Sequence, residues 1–527
     1  MLRSIHARAL TGAMLALIAS TPLASQYRAD PRAAGEADGA VLAAAPAPVP
    51  VAREEHARRR AALAAAMEDG VLVAFGEGDD ALDPQGFAQN ASFRYLTGLT
   101  EPEAALVIAK AGGRVSERLF VLPRDPAREV WDGVRLGPER AQALTGIPAR
   151  TVDSLLPVLH AHLGNTPTLY TLSPLAMDAP ADGPLRRGAQ IAQRAAAGRP
   201  GTRVVPLDEQ MLRLRAAKSP AELDMLRRAI YITAVAQREA IRSIEPGMGE
   251  FEIQALIEYT FRRHGGDGRA FPSIVGSGPN STTLHYRSNG RIMQAGETVV
   301  MDVGAGYRGY AADVTRTVPV GGRFTPEQRQ VYEVVLAAQK ATESLARPGV
   351  TLQTLNATAA QAVAGGLARL GLIDAPDATY DCRGTDGLAQ CPQFRLFYMH
   401  SVSHGIGLNV HDPDVSYYGP LAPGSAISIE PGIYVRADAF DFLPDTERNR
   451  AFAARRRAAL QRYRNIGVRI EDDYFVTPGG AERVSAGAPR EVEEIEALMA
   501  EQGPGNRGRH PVVLDWYRQV SGSEAEP

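Results

Sequence analysis

The sequence predicts an α/β N-terminal domain followed by a larger α+β domain. Three observations carry that expectation. The chain has 527 residues, enough for two or three separate cores. From residue 52 to 210, short apolar runs alternate with helix-like segments, the pattern of an α/β layer. From 211 onward, two long amphipathic helices come first and β-rich segments follow. The composition is that of an ordinary globular protein, with 45% hydrophobic and 22% charged residues. A net charge of −3 gives no electrostatic reason to expect nucleic acid or an anionic membrane as partner.

Residues 1–25 read as an export signal. Arg3 and Arg8 precede an apolar run from Leu10 to Ala19, small residues follow, and no acidic residue comes before Asp30. The run is too short to span a bilayer comfortably, so no stable membrane anchor is expected. The expected location is the periplasm or the medium; an Ala-rich leader without a targeting role is the competing reading. Residues 26–55, with "AAAPAPVPVA", read as a linker. The domains are then expected over 56–210 and 211–500, with a tail over 501–527. Cys382 and Cys391 flank "RGTDGLAQ", which reads as a surface loop. In an oxidising compartment they are placed to close it, two free thiols being the alternative, and no second cysteine pair exists to build a zinc site.

In the first domain "VLVAFGE" (71–77), "AALVIAK" (104–110) and "RLFVLPR" (118–124) read as strands, and 53–67 and 138–160 as helices. A boundary falls at 211–220, where Ser219, Pro220 and Glu222 form a capping box that opens a long helix. In "EFEIQALIEYTFRRHG" the residues Ile253, Leu256, Ile257 and Phe261 fall at helical spacing, and Gly265 ends the helix. Three β-rich segments follow: "ETVVMDVGAGYRGYAADVTRTVPV", "SAISIEPGIYV" and "GVRIEDDYFVT". Helices over 325–346 and 353–371 separate the first of them from the others.

Carboxylates stand in these strands where apolar residues would be expected. A turn centred on Tyr307 and Arg308 sets Asp302 directly opposite Asp313, with Cβ atoms about 5 Å apart. Like charges so placed repel, and on a strand such as "TVVMDV" they call for a cation. The alternative is a pair of exposed aspartates on a wet face. Glu430 shares a strand face with Ser428, opposite Ile427 and Ile429. Glu471 shares one with Arg469, which could by itself account for the charge, opposite Val468 and Ile470. Two Asp, two Glu and one His from "HSVSHGIGLNVHD" suggest a site for two divalent ions. Oxygen-dominated ligation favours manganese over tetrahedral structural zinc. Two ions about 3.5 Å apart would polarise a carbonyl and acidify a bridging water, which is the chemistry of amide or ester hydrolysis. As an extended strand, 400–412 puts His400 and His404 on one face and His411 on the other, unless the chain bends at Gly405 and Gly407.

The motifs "MDVGAGYRGYAADVTRT", "HSVSHGIGLNVHD", "SIEPGIYV" and "NIGVRIEDDY" resemble, in that order, those of the pita-bread metallopeptidases (M24) over about 212–500. "FRYLTGLTEPEAALVI" and "LFVLPRDPAREVWDGVRLG" resemble the N-terminal domain of aminopeptidase P over about 70–210. His400, four before His404, resembles the proline-specific members. The resemblance implies a pita-bread catalytic domain in which Asp302, Asp313, His404, Glu430 and Glu471 hold two ions, usually manganese, with a hydroxide between them. It implies Glu430 as general base and His411 as the group that stabilises the oxyanion. It also implies His285 as a substrate contact, His400 at the proline pocket, and Arg469 and Tyr434 orienting the groups around the metals. Substrates would be peptides with proline in second position, and a homo-oligomer is expected, with Trp131 offered to a neighbour. The segment 437–464 is longer than in compact aminopeptidase P enzymes and is similar to an insertion in prolidases, so an Xaa-Pro dipeptidase is the alternative. Its other reading is a solvated surface helix. A non-catalytic peptide-binding module and a creatinase-like hydrolase are more remote, because all five ligand positions are intact.

Overall fold

The computed structural model describes residues 50–78, 87–172, 187–384 and 387–501, with Gly503 and Val512. The leader, most of the linker and almost all of the tail lie outside the described residues. So does the stretch 173–186. Among the described residues no helix is long and apolar enough to cross a membrane.

Six strands build the N-terminal sheet: β1 (Gly70–Phe75), β2 (Ala105–Ala111), β3 (Arg114–Val121), β4 (Ala149–Thr151), β5 (Thr168–Thr171) and β6 (Arg203–Pro206), in the order β4-β3-β2-β1-β5-β6. The central strands are apolar on both faces because both are covered. Leu72, Leu106, Ile108 and Leu119 point into one cluster, while Val71, Val73, Val107 and Phe120 point into the other. The helix expected over 138–160 is two helices, Gly137–Thr145 and Leu155–Asn165, with β4 between them. Gly146, at φ +73°, ends the first, and Pro148 follows two residues later.

The second domain opens as expected. Ser219 caps helix Pro220–Ser243: its Oγ accepts from the Glu222 N–H at 3.3 Å, and the Glu222 carboxylate accepts from the Ser219 N–H at 3.0 Å. Ile253, Ile257 and Phe261 of helix Glu250–Arg263 share one core with Val299, Met301 and Val303, so the strand carrying Asp302 is anchored by its apolar neighbours. Helices Pro326–Glu343 and Leu352–Arg369 pack on the same core through Val331, Val335, Val363 and Leu367.

The hairpin register differs from the expected one. In β9 (Thr298–Val303) and β12 (Val314–Pro319), Asp302 pairs with Thr315, not with Asp313. The turn sits one residue later, on Arg308 (φ +48°) and Gly309 (φ +77°), the left-handed pair of a two-residue hairpin turn. Asp313 is two positions from Thr315 along the chain and therefore on the same face as Asp302, diagonally across the ladder. The carboxylates still converge, but as a diagonal rather than an opposed pair. Beside them a Cβ on Gly304 would lie 1.8 Å from the Ala312 carbonyl oxygen and 2.8 Å from the Phe271 ring. Gly304→Ala is therefore expected to push the two strands apart and destabilise the protein by about 3 kcal/mol or more. The measurement is denaturant unfolding; a wild-type midpoint would contradict the close approach.

Both later carboxylate strands are broken at the carboxylate. β15 (Ala426–Ile429) pairs with β18 (Asp472–Thr477), whereas β16 (Gly432–Val435) pairs with β17 (Ile466–Arg469). Glu430-Pro431 and Ile470-Glu471 fall at the two breaks, facing each other where the ladder changes sheet. The fully buried Arg316 holds one break. It donates to the carbonyls of Glu471 (2.7 Å), Thr315 (2.8 Å) and Ala488 (2.8 Å) and to Asp472 Oδ1 (2.6 Å).

Cys382 and Cys391 are joined, but within the hairpin β13 (Thr379–Gly384)–β14 (Gly387–Pro392) rather than a plain loop. This hairpin packs on the inserted helix Glu447–Tyr463, where Asn449 Nδ2 donates to the Asp381 carbonyl at 2.8 Å. The insertion is not a wholly solvated helix: Phe452, Leu460 and Tyr463 are buried in the main core, while Arg455 and Arg456 pair with Asp374 at 2.7 Å.

Candidate active site

Five separate pieces of chain meet around His404. Its Nδ1–H donates to the Gly405 carbonyl at 3.1 Å, which turns Nε2 toward the carboxylates. Nε2 lies 3.6 Å from Asp313 Oδ2, 3.5 Å from Glu430 Oε1 and 3.7 Å from Glu471 Oε1. Burial, with His411 nearby, pushes the His404 pKa down to about 3, so the imidazole is neutral and its lone pair faces three acceptors. That arrangement is neither a salt bridge nor a hydrogen bond.

The carboxylates are strained electrostatically. Burial first, then Glu471 and Asp302, hold Asp313 well above the usual range. Burial first, then Glu430 and Asp302, do the same to Glu471. Burial and Asp302 push Glu430 up to about 8, against the lowering effect of Arg469. Asp302 Oδ1, Asp313 Oδ1 and Glu471 Oε1 are buried with no hydrogen-bond partner. The other oxygens of Glu471 and Asp302 are held: Thr315 Oγ1 donates to Glu471 Oε2 at 2.6 Å, and Arg469 donates to Asp302 Oδ2. Three orphaned carboxylate oxygens and an imidazole lone pair directed at one space fit divalent ions, and Asp313, His404 and Glu471 present ligand atoms within 4.8 Å of one another. Arg469 thus bonds Asp302 rather than Glu471, and its charge, which favours the Glu471 carboxylate, does not offset the burial and like charges that raise the Glu471 pKa.

A second tier fixes these groups. Arg469 Nη1 donates to the Tyr434 hydroxyl at 2.9 Å, and that hydroxyl donates to His400 Nε2 at 2.9 Å while His400 Nδ1–H donates to the Ser401 carbonyl. Burial, then Arg469, pushes the His400 pKa down to about 4. Residues 400–412 bend rather than run as one extended strand. Gly405 bridges to Ile427 on one side and Asp412 on the other, and the intervening loop doubles back. His411 thereby returns to stack edge-on against His404, ring centres 4.4 Å apart. The two glycines serve by close approach, not by left-handed φ: a Cβ on Gly407 would meet Asp412 Oδ2 at 2.3 Å, and one on Gly405 the Asp412 carbonyl oxygen at 2.4 Å. His285 is exposed at the rim. Burial is the largest cause lowering its pKa, and Asp302, Arg469 and His411 all act on it.

Three site-shaping residues were not legible in the sequence. Thr315 orients Glu471, Asp473 accepts from the Asp313 N–H at 3.0 Å, and Arg316 holds the Glu471 backbone. A signal existed for two of them. Thr315 stands two residues after Asp313, and Asp473 two after Glu471, as same-face neighbours on a strand do.

Residues 224–478 match the model of metallopeptidase family M24, and residues 56–170 that of the aminopeptidase P N-terminal domain. The Xaa-Pro aminopeptidase of Escherichia coli (strain K12) is 34% identical over 466 residues, 85% of this chain and 98% of that protein. The chain belongs to the M24 metallopeptidase family. Solved relatives agree with this membership. E. coli aminopeptidase P with the inhibitor Pro-Leu superposes with a TM-score of 0.71 at 31% identity, covering 86% of this chain and 99% of that one. A zinc-substituted form of that enzyme in complex with product gives 0.72 at 32% identity, covering 86% and 99%. As an M24 member the protein is a hydrolase, and the pita-bread fold expected for its second domain is the fold of that family.

Proposed function

We propose that the protein is an Xaa-Pro aminopeptidase that removes an N-terminal residue preceding proline, working with two divalent ions held by Asp302, Asp313, His404, Glu430 and Glu471. The observation that carries this reading is the convergence of those five side chains, with three carboxylate oxygens orphaned, in a chain that aligns with nearly the whole of an Xaa-Pro aminopeptidase. Bound there, the ions would polarise the scissile carbonyl and acidify a water. The oxygen-rich donor set favours manganese. The chain's own groups do the rest. Glu430 takes the proton that the attacking water loses. His411, held edge-on to His404, donates to the oxyanion of the tetrahedral intermediate. Arg469 holds Asp302 Oδ2 and, through Tyr434, fixes the tautomer and angle of His400 at the proline pocket. His285 at the rim contacts the substrate.

The test is a peptide series with manganese, scoring the bond broken in Xaa-Pro, Xaa-Pro-Yaa and longer peptides. We expect cleavage of the Xaa–Pro bond in tripeptides and longer substrates, with dipeptides slower by about tenfold or more. Turnover of dipeptides alone would replace this reading with an Xaa-Pro dipeptidase. We propose further that the chain is exported and self-associates. The N-terminal sequence of the mature protein from a periplasmic fraction tests the first, and retention of residues 1–25 would refute it. Light scattering tests the second, and a monomer mass would refute it.

A further inference from the structure

Outside the metal ligands, Arg215, Lys218 and Asp412 form a buried charged cluster near the site, exposed by only 2%, 5% and 2%. It is not one element folded on itself. Arg215 closes helix Asp208–Ala216 and Lys218 lies in the connector that follows, while Asp412 is the neighbour of His411. Arg215 Nη2 donates to Asp412 Oδ1 and, at 2.6 Å, to Asn409 Oδ1. Lys218 Nζ uses all three of its donors, on Asp412 Oδ2 (2.8 Å), the Pro413 carbonyl (2.7 Å) and the Arg215 carbonyl (2.9 Å). The Asp412 N–H in turn donates to the Gly405 carbonyl at 2.8 Å, and the Asn409 N–H to Asp412 Oδ1 at 3.0 Å. The loop from 405 to 413 is therefore gripped at both ends and in its middle.

The other side of the grip is the N-terminal domain. Arg215 Nη1 donates to Ser92 Oγ at 3.3 Å, and the Tyr95 hydroxyl donates to the Leu214 carbonyl at 2.6 Å, both from helix Ala91–Thr97. Leu408, on the gripped loop, packs against the apolar core of the same domain. A buried ionic cluster is weak evidence for stability, since apolar residues of the same volume often serve as well. What it supplies is one geometry. Loop, connector and N-terminal helix can meet in only one way if all these donors are to find their acceptors.

We infer that Arg215 and Lys218 are positioning residues for His411, and that through them the N-terminal domain sets the geometry of the catalytic loop. This rests on the reading of His411 as the oxyanion donor. Arg215 and Lys218 bond no ligand side chain; the one link runs through the Gly405 carbonyl, which accepts from both the Asp412 N–H and His404 Nδ1–H, so bound metal is read beside kcat.

The test is a double-mutant cycle on the metal-loaded full chain, with Arg215→Lys and Ser92→Ala each made alone and in His411→Ala. The readouts are kcat, KM, bound metal and melting temperature. Arg215→Lys keeps the charge and loses the fork, and Ser92→Ala removes only the tether to the N-terminal helix, so one variant remains readable if the other folds poorly. Expected are a fall in kcat of about tenfold for Arg215→Lys and about threefold for Ser92→Ala, with KM and bound metal unchanged, the scale of a sub-ångström displacement. In His411→Ala both further effects should shrink below about twofold, because partners in one path are not additive. Equal fold losses in both backgrounds overturn the positioning role while leaving the oxyanion reading in place. A wild-type kcat for His411→Ala alone overturns the oxyanion reading and this inference with it.

Discussion

Glu430→Gln is expected to lower kcat by about a thousandfold, within the range of a lost general base. The argument is one of parts. Glutamine keeps the shape and one ligating oxygen, but it cannot take the proton from the attacking water. The site around it should survive, because the neighbours of Glu430 are fixed independently: Glu471 by Thr315 and Arg316, His404 by the Gly405 carbonyl, and Asp302 by Arg469. The substitution also removes one of four crowded carboxyl groups, whose burial disfavours the charged form, so no loss of thermal stability is expected in the metal-free protein. The measurement is steady-state cleavage of an Xaa-Pro-Yaa peptide at saturating manganese, with bound metal determined on the same sample. Activity within about threefold of wild type would deny Glu430 the role of base.

Asp313→Asn should separate activity from stability with opposite signs. Asp313 is fully buried beside Asp302, Glu471 and Asp473, one of its oxygens has no partner, and no cation side chain reaches it. In the metal-free protein this carboxyl must either stay charged among like groups or take up a proton, and both cost stability. Removing it should raise the melting temperature of the chelated protein by about 2 °C or more, the shift that roughly 1 kcal/mol gives in a domain of this size. In the metal-loaded protein the same change removes a ligand. Activity should fall by about a hundredfold or more, and the rise in melting temperature on adding manganese should vanish. A chelated variant less stable than chelated wild type would mean that Asp313 is satisfied without a metal.

What could be read from the sequence was the content of the site, and what could not was its register. Alternation located Glu430 and Glu471 on strands, yet both strands break at the carboxylate. The reason lies in tertiary contacts, since β15 and β16 pair with different halves of the facing chain. The turn was placed one residue early because "GYRGY" offers two glycines, and only the backbone shows Arg308 and Gly309 taking the left-handed pair. The diagonal geometry nevertheless preserved the inference, because a shift of the whole pairing by two keeps both side chains on one face. The sequence "HSVSHGIGLNVHD" sets three histidines within twelve residues, but the fold-back at Gly405 that brings His411 onto His404 depends on Asp412 and on charges almost two hundred residues away. Long-range ion pairs have no period and leave no local pattern. The disulfide was read from cysteine spacing, while its place in a hairpin against the inserted helix was not, since "RGTDGLAQ" carries turn residues but no strong strand signal.

The most direct test of the account is to strip the purified protein of metal, add manganese back in sub-stoichiometric steps, and follow cleavage of an Xaa-Pro-Yaa peptide by mass of the products. The account predicts no activity in the stripped protein, recovery that saturates at about two ions per chain, and release of the first residue only. Cleavage that persists under chelation, or at a bond other than Xaa–Pro, would contradict it.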